Sequence, residues 1–303
     1  MIPTLIIIYG PTAVGKTSLT IRLAKAFATE IISCDSRQFF KELNIGVARP
    51  SVDDLKSINH HFVGHISAQQ HYNAGDFEKD AITLLGNLFQ KYKVVFMTGG
   101  SGLYIDAITN GFDVLPERNQ ELRTKLESEL NIFGIKYLQE KLRKLDPDYF
   151  DIVDPNNPQR LIRALEVIEL SGKKYSDLRS NEKVTRNFRI IKIRLEQNRE
   201  ILYQSINTRV DQMMELGLLN EVKGLYPIRH LNALKTVGYR ELYEYLDGNI
   251  TLDKAIYLIK QNTRHYAKRQ ITWFRRYQDD MIFNPENENE IFTYIENQLK
   301  QHG

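Results

Sequence analysis

The chain has 303 residues, enough to bury a sizeable core as one large domain with an insertion or as two domains. With 42% hydrophobic and 26% charged residues it is composed like an ordinary globular protein, and a formal net charge of +3 is too small to signal a nucleic-acid partner unless Lys and Arg are locally clustered. The one cysteine, Cys34, excludes an intramolecular disulfide and any zinc site built from cysteines, and it reads as a small buried residue at a strand end in preference to a nucleophile.

The N-terminus carries no basic leader, and its apolar run Leu5 to Tyr9 is far shorter than the roughly 18 residues of a membrane span. A cytoplasmic protein that does not enter the membrane is therefore expected. The same run is short, continuous and β-branched and stops at Gly10, the pattern of a parallel strand buried on both faces. Leu19, Leu23, Ala26 and Phe27 then recur at helical spacing, so the segment reads strand, glycine loop, helix. Glu30 to Ser33 is a second expected strand, with Asp35 and Ser36 at its C-terminal end. A third, Lys93 to Met97, stops at Thr98-Gly99-Gly100. Strands alternating with helices predict a parallel α/β sheet whose ligands gather at the strand C-terminal ends, where all three loops would meet.

From about Pro116 the character changes. Glu117 to Arg179 is charge-rich and helical in period, with Leu122, Leu126 and Leu130 on one stripe and no convincing strand. Asn157-Pro158 reads as an N-cap followed by proline at the first helical position, with Leu161, Ala164, Leu165 and Ile168 as the apolar face behind it. Phe188 to Leu195 alternates apolar with basic residues and is expected to return to the sheet. The remainder reads as helix, interrupted by a polar connector from Asn284 to Glu290. The expected architecture is α/β: a P-loop NTPase-like parallel-sheet core over residues 1–116, a mostly helical insertion domain over 117–182, and a return to the core over 183–303 with C-terminal helices.

Gly10-Pro11-Thr12-Ala13-Val14-Gly15-Lys16-Thr17 satisfies the P-loop pattern G-x-x-x-x-G-K-[ST] and lies between an expected strand and an expected helix, as the mechanism requires. Backbone N–H groups from Thr12 to Thr17 would wrap phosphates at a helix N-terminus, Lys16 would add a point charge, and Thr17 would ligate Mg²⁺. A P-loop hydrolase places an aspartate at the end of a second apolar strand. Here Val94 to Met97 runs into Thr98-Gly99-Gly100-Ser101, and no acid follows until Asp106. The cradle is thus suited to holding a diphosphate that departs from a substrate. Asp35 would project beside it, as a general base, as a metal-holding carboxylate, or as a helix N-cap. Ser101 offers a hydroxyl to a departing phosphate oxygen, or simply a turn.

The run Arg264 to Arg276 carries five Lys/Arg and no acid, with Tyr266, Trp273 and Phe274 interleaved. Arg264, Lys268 and Arg275 share a helical face suited to a phosphate backbone or to solvent, and the aromatic residues read as core before they read as base-stacking platforms. Arg123, Arg160 and Arg163 add positive positions on the insertion. His60, His61, His65 and His71 lack the spacing and companions of a metal site and read as structural.

Taken in order, these pieces resemble the bacterial-type tRNA dimethylallyltransferases, also called tRNA isopentenyltransferases. The resemblance rests on the P-loop, Asp35-Ser36-Arg37-Gln38, Asn44-Ile45-Gly46, Gly75-Asp76-Phe77, Gly99-Gly100, Asn157-Pro158-Gln159-Arg160 with Arg163-Ala164-Leu165-Glu166, Arg209, Val237-Gly238-Tyr239-Arg240 and Lys268-Arg269-Gln270-Ile271-Thr272-Trp273. It implies transfer of a dimethylallyl group from dimethylallyl diphosphate to N6 of the adenosine 3′ of a tRNA anticodon, with Mg²⁺ as cofactor. Asp35 would be the general base and Arg209 would join Gly10, Thr12, Ala13, Val14, Gly15, Lys16 and Thr17 at the diphosphate. Ser101 stands where the family usually has threonine. Contacts to the tRNA anticodon stem-loop would map to Asp35 to Gln38, Ser101, Arg123, Gln159, Arg160, Leu161, Ile162, Arg163, Lys235, Gly238, Tyr239, Arg240, Lys268, Arg269, Gln270, Trp273 and Arg275, and a monomer is expected. Val47 and Arg49 depart from the usual Thr and Lys after Ile-Gly. The alternatives are a P-loop kinase of a small metabolite or nucleoside, and an RNA-binding module with a vestigial nucleotide site.

Overall fold

A computed structural model describes residues 2–113, 115–179, 184–277 and 280–301. Six strands form one sheet: β1 (Thr4–Tyr9), β2 (Ile31–Ser33), β3 (His60–His61), β4 (Val94–Gly99), β5 (Arg189–Leu195) and β6 (Met281–Phe283), in the order β3-β2-β4-β1-β5-β6. Every pairing is parallel, and Ile6 at the centre lies opposite Phe96 on one side and Ile191 on the other. β1 is buried along its whole length because both sheet faces are covered. Its even residues, Ile6 and Ile8, pack with Leu19 and Leu23 of α1 (Lys16–Ala26), while Leu5, Ile7 and Tyr9 meet Phe77 and Leu85 of α3 (Ala74–Leu88). The short α2 (Val52–Ser57) precedes β3, and α4 (Gly102–Thr109) follows β4.

The chain divides into two compact units, one formed by residues 1–109 and 185–303 and the other by Asn110–Val184. The expected boundary between residues 182 and 183 lies outside the described residues. The second unit consists of α5 (Gln120–Phe133), α6 (Ile135–Leu145), α7 (Pro147–Phe150) and α8 (Pro158–Ser171), with no strand among its described residues. Asn119 and Asn157 cap α5 and α8 through side-chain oxygens that accept the Leu122 and Arg160 N–H groups, and Pro158 occupies the first turn, where its missing N–H costs nothing. The leucine stripe meets α8 in a core of Leu126, Leu138, Leu142, Leu161 and Leu165, all without exposed surface. Leu165→Ala is expected to cost about 2–5 kcal/mol, read as a lower urea midpoint of unfolding; an unshifted midpoint would contradict this core assignment.

The first unit continues after β5 with α9 (Arg199–Glu215), α10 (Leu218–Leu225), α11 (Tyr239–Leu246), α12 (Leu252–Phe274) and, after β6, α13 (Glu288–Lys300). The ends of α9 and α12 join α10 and α11 in an apolar cluster built on Val210, Leu218, Leu242 and Ile259. The two edge strands, β3 with two residues and β6 with three, were not expected from sequence. Among the described residues no helix is long and apolar enough to cross a membrane.

His61 and His65 serve the fold, and no group of three or more His, Cys, Asp or Glu side chains among the described residues could hold a metal. His61 bonds Glu30 at 2.6 Å, and His65 sits edge-on to Phe39, Phe62 and Tyr72. Burial holds His65 below its ordinary value, with Asp80 opposing and Lys41 assisting. The unfolded chain therefore takes up the proton first as pH falls below about 6.5, so the stability associated with a neutral His65 is present at neutral pH and lost on acidification. His65→Phe is expected to lose less melting temperature than the wild type between pH 7 and pH 5. An identical loss in both would refute the role of this imidazole.

Candidate active site

Because all strands run parallel, the loops after β1, β2 and β4 emerge at one edge, around a cavity of about 700 Å³. The loop after β1 holds its shape by close approach. A Cβ on Gly10 would stand 2.5 Å from the Leu195 carbonyl oxygen, and Gly15 adopts the left-handed φ of +95° from which α1 starts. No acidic residue occupies the first turn of α1, so the positive end of the helix faces the loop unopposed. Ala13 also sits at positive φ, and Thr12, Ala13, Gly15, Lys16 and Thr17 line the cavity, whereas Val14 is buried beneath. The expected six-amide cradle is two amides smaller, because the Thr12 N–H donates to Gln270 Oε1 at 2.8 Å and the Val14 N–H to the Pro11 carbonyl at 3.4 Å.

Two half-buried cations stand here together. Lys16 Nζ donates to the Pro11 carbonyl at 2.7 Å, and Arg209 of α9 donates to Thr12 Oγ1 at 3.3 Å. Burial, then the charge of Arg209, pull the Lys16 ammonium down to about 8, against the pull of Asp35; burial likewise lowers Arg209. Lys16, Arg37, Arg49, Arg209, Lys235, Arg240 and Arg269 line the cavity against the carboxylates Asp35 and Asp54. Such a field recruits a multiply charged anion, which relieves the mutual repulsion of the cations.

Asp35 leaves the end of β2 and lines the same cavity. Its Oδ1 accepts the Arg37 N–H at 3.0 Å and its carbonyl accepts the Gln38 N–H at 3.0 Å, so it closes a turn, with no helix following for it to cap. Gln38 is 8% exposed and donates to the Val47 and Ala48 carbonyls, shaping the opposite wall. Arg37 donates to the carbonyls of Asn232 and Ala233. Ser101 does not line the cavity. Its Oγ accepts the Ser36 N–H at 3.1 Å and lies 3.2 Å from Ser36 Oγ, which ties the loops after β2 and β4 together.

Several expected RNA contacts are corrected by burial. Tyr239 has no exposed surface; its hydroxyl donates to Glu221 at 2.6 Å, and its ring occupies the space where Gly46 would carry a Cβ. Leu161 and Ile162 belong wholly to the core of the second unit. Gln270 is 6% exposed, and Trp273 packs into the core edge with Arg276 3.9 Å above its ring; Phe274, 1% exposed, has the core place first read for it. Arg264 is held by Asn207 at 2.6 Å. Lys268 and Arg269 on α12 and Arg275 at its C-cap remain exposed, and Lys235, Gly238 and Arg240 line the cavity. In the second unit Arg160 is exposed, Arg123 is bonded to Gln159, and Arg163 reaches Glu166 at 2.9 Å and the Pro116 carbonyl at 2.9 Å.

Sequence reasoning missed Tyr266 and Met213 on the cavity wall, and Glu221, whose carboxylate accepts the Ile45 and Gly46 N–H groups and fixes that wall. Tyr266 was detectable: with Gln270 and Trp273 it recurs at intervals of four and three, a helix face separate from the basic stripe. Glu221 carries no such signal, because its partners are distant in sequence.

Residues 38–277 match the family model described as IPP transferase. The chain is 52% identical over 296 residues to the tRNA dimethylallyltransferase of Christiangramia forsetii, covering 97% of this chain and 98% of that one, and 48% identical over 300 residues to tRNA dimethylallyltransferase 1 of Bacteroides thetaiotaomicron, covering 99% and 97%. Among solved structures it is similar to the tRNA isopentenylpyrophosphate transferase of Bacillus halodurans, with a TM-score of 0.73 at 36% identity over 99% of this chain and 97% of that chain. It is also similar to a eukaryotic dimethylallyltransferase acting on tRNA, with a TM-score of 0.78 at 29% identity over 89% and 69%. The chain belongs to the IPP transferase family, the family of the tRNA dimethylallyltransferases.

Proposed function

We propose that this enzyme transfers the dimethylallyl group of dimethylallyl diphosphate to N6 of the adenosine 3′ of a tRNA anticodon and releases diphosphate. The observation that carries the reading is the meeting of half-buried Lys16 and Arg209 beside the P-loop, in one cavity with the Asp35 carboxylate. The bond between the allylic carbon and oxygen breaks with its electron pair going to the diphosphate, where the two cations and the helix N-terminus receive the charge. N6 forms the new bond to carbon, and its proton passes to Asp35. An adenine inside a stacked loop cannot reach this cavity, so the base must leave the stack first.

Mg²⁺ suits the donors present. The cavity offers the Thr17 hydroxyl and few carboxylates, which matches a cation that keeps several waters and takes most of its remaining ligands from phosphate oxygens. Thr17 would hold it, and it would neutralise charge on the leaving group. The enzyme acts as a cytoplasmic monomer in this reading. Incubation with dimethylallyl diphosphate and an anticodon stem-loop, followed by mass analysis of the nucleosides, is expected to show one dimethylallyl group on adenosine. Phosphorylation of a small metabolite from ATP, with adenosine unmodified, would replace this reading by that of a kinase.

A further inference from the structure

Gln270 lies in the stretch of α12 that the family resemblance gives to RNA, yet both ends of its side chain are used inside the protein. The Thr12 N–H donates to its Oε1 at 2.8 Å, and its Nε2 donates to the Gly100 carbonyl at 2.8 Å. A backbone N–H needs an acceptor and a backbone carbonyl needs a donor, so these partners fix the amide's orientation. A carboxylate would bring a second acceptor against the Gly100 oxygen, and asparagine is one methylene shorter. The turn after β4 is shaped to receive this helix face. A Cβ on Gly100 would stand 2.3 Å from Gln270 Nε2, and a Cβ on Gly102 would stand 2.2 Å from the Trp273 ring.

We propose that Gln270 is a positioning residue for prenyl transfer, a strut setting the distance between the diphosphate cradle and the acceptor side of the cavity, and that it makes no contact with RNA. On one side it holds Thr12, whose hydroxyl accepts from Arg209. On the other it holds Gly100, next to Ser101, whose Oγ accepts the N–H of Ser36 beside Asp35. The groups that receive the leaving diphosphate and the group that takes the N6 proton are thus tied through one side chain. The role rests on the proposed function, because a displacement reaction is sensitive to this separation: an error of about 1 Å costs on the order of 10²-fold in rate.

Gln270→Met keeps length and volume and removes both hydrogen bonds. Its single-turnover rate, its affinity for the anticodon stem-loop measured without allylic diphosphate, and its melting temperature are the readouts. The chemical step is expected to slow about 10–100-fold, with RNA affinity within about twofold of the wild type and an unchanged dependence of that affinity on salt. Gly100→Ala, which pushes the amide away, is expected to reproduce the loss, and the double variant to be no slower than the slower single one. RNA binding weakened by about tenfold with a normal rate at saturation, or losses that multiply in the double variant, would overturn the strut. Should Gln270→Met fail to fold, Gly100→Ala with the wild-type glutamine carries the same readouts. A wild type that transfers no prenyl group would remove the proposed function instead, and the strut would then stand or fall on RNA affinity: unchanged in Gln270→Met, or lost.

Discussion

Asp35→Ala is expected to slow prenyl transfer by about 10²–10⁴-fold, the range spanned by a lost general base. Adenine N6 is a weak nucleophile whose attack on carbon generates an acidic N–H, and Asp35 is the carboxylate that leaves the end of β2 beside the P-loop cations. Affinity for dimethylallyl diphosphate is expected to hold or rise, because the variant removes a negative charge near an anion site. Asp35→Asn separates chemistry from shape: its side-chain oxygen still accepts the Arg37 N–H that Asp35 Oδ1 accepts at 3.0 Å, so the turn survives while the base is lost. Single-turnover rates at saturating diphosphate and RNA measure this. Full turnover in the asparagine variant would sink the assignment.

Lys16→Ala is expected to lower kcat by about 10²–10³-fold, the loss seen when one preorganised donor to a developing anion is deleted. The charge on the bridging oxygen grows as the carbon–oxygen bond breaks, so a half-buried ammonium beside Arg209 interacts more strongly with the transition state than with the bound substrate. The loss should therefore fall on kcat as well as on kcat/KM. Lys16→Arg is not expected to restore the rate, because a planar guanidinium cannot occupy the compact position from which Nζ reaches the Pro11 carbonyl. Steady-state kinetics with varied allylic diphosphate decide the matter. A raised KM with kcat intact would show uniform binding and contradict the role given to this charge.

Most of the sheet and the outline of the site are legible in the sequence, for physical reasons that differ by element. β1 and β4 are continuous apolar runs because both faces are covered, and each ends in glycines, since only glycine tolerates the approach of Leu195 to Gly10 and of Gln270 to Gly100. β5 betrays itself by alternation. β3 and β6 do not: two residues and three residues at the sheet edges, polar in one case and half-exposed in the other, carry no periodicity to read. At the site, motif positions identified the side chains that reach the cavity but not which way each one turns. Tyr239, Leu161, Ile162 and Gln270 sit within motifs read as RNA contacts and are turned into the protein, where they hold the walls and the helical core. Side-chain direction follows from tertiary packing, in which Tyr239 meets Glu221 and Gly46 from separate parts of the chain, and no local spacing encodes that meeting.

The central claim is that an anion cradle of backbone amides with Lys16 and Arg209 stabilises a diphosphate as it leaves carbon. The most direct measurement counts products in one reaction containing enzyme, Mg²⁺, anticodon stem-loop, dimethylallyl diphosphate and ATP. One inorganic diphosphate released for each dimethylallyl group gained by adenosine, with ATP's terminal phosphate untouched, is the predicted result. Transfer or hydrolysis of that terminal phosphate while the allylic diphosphate is left unconsumed would contradict it.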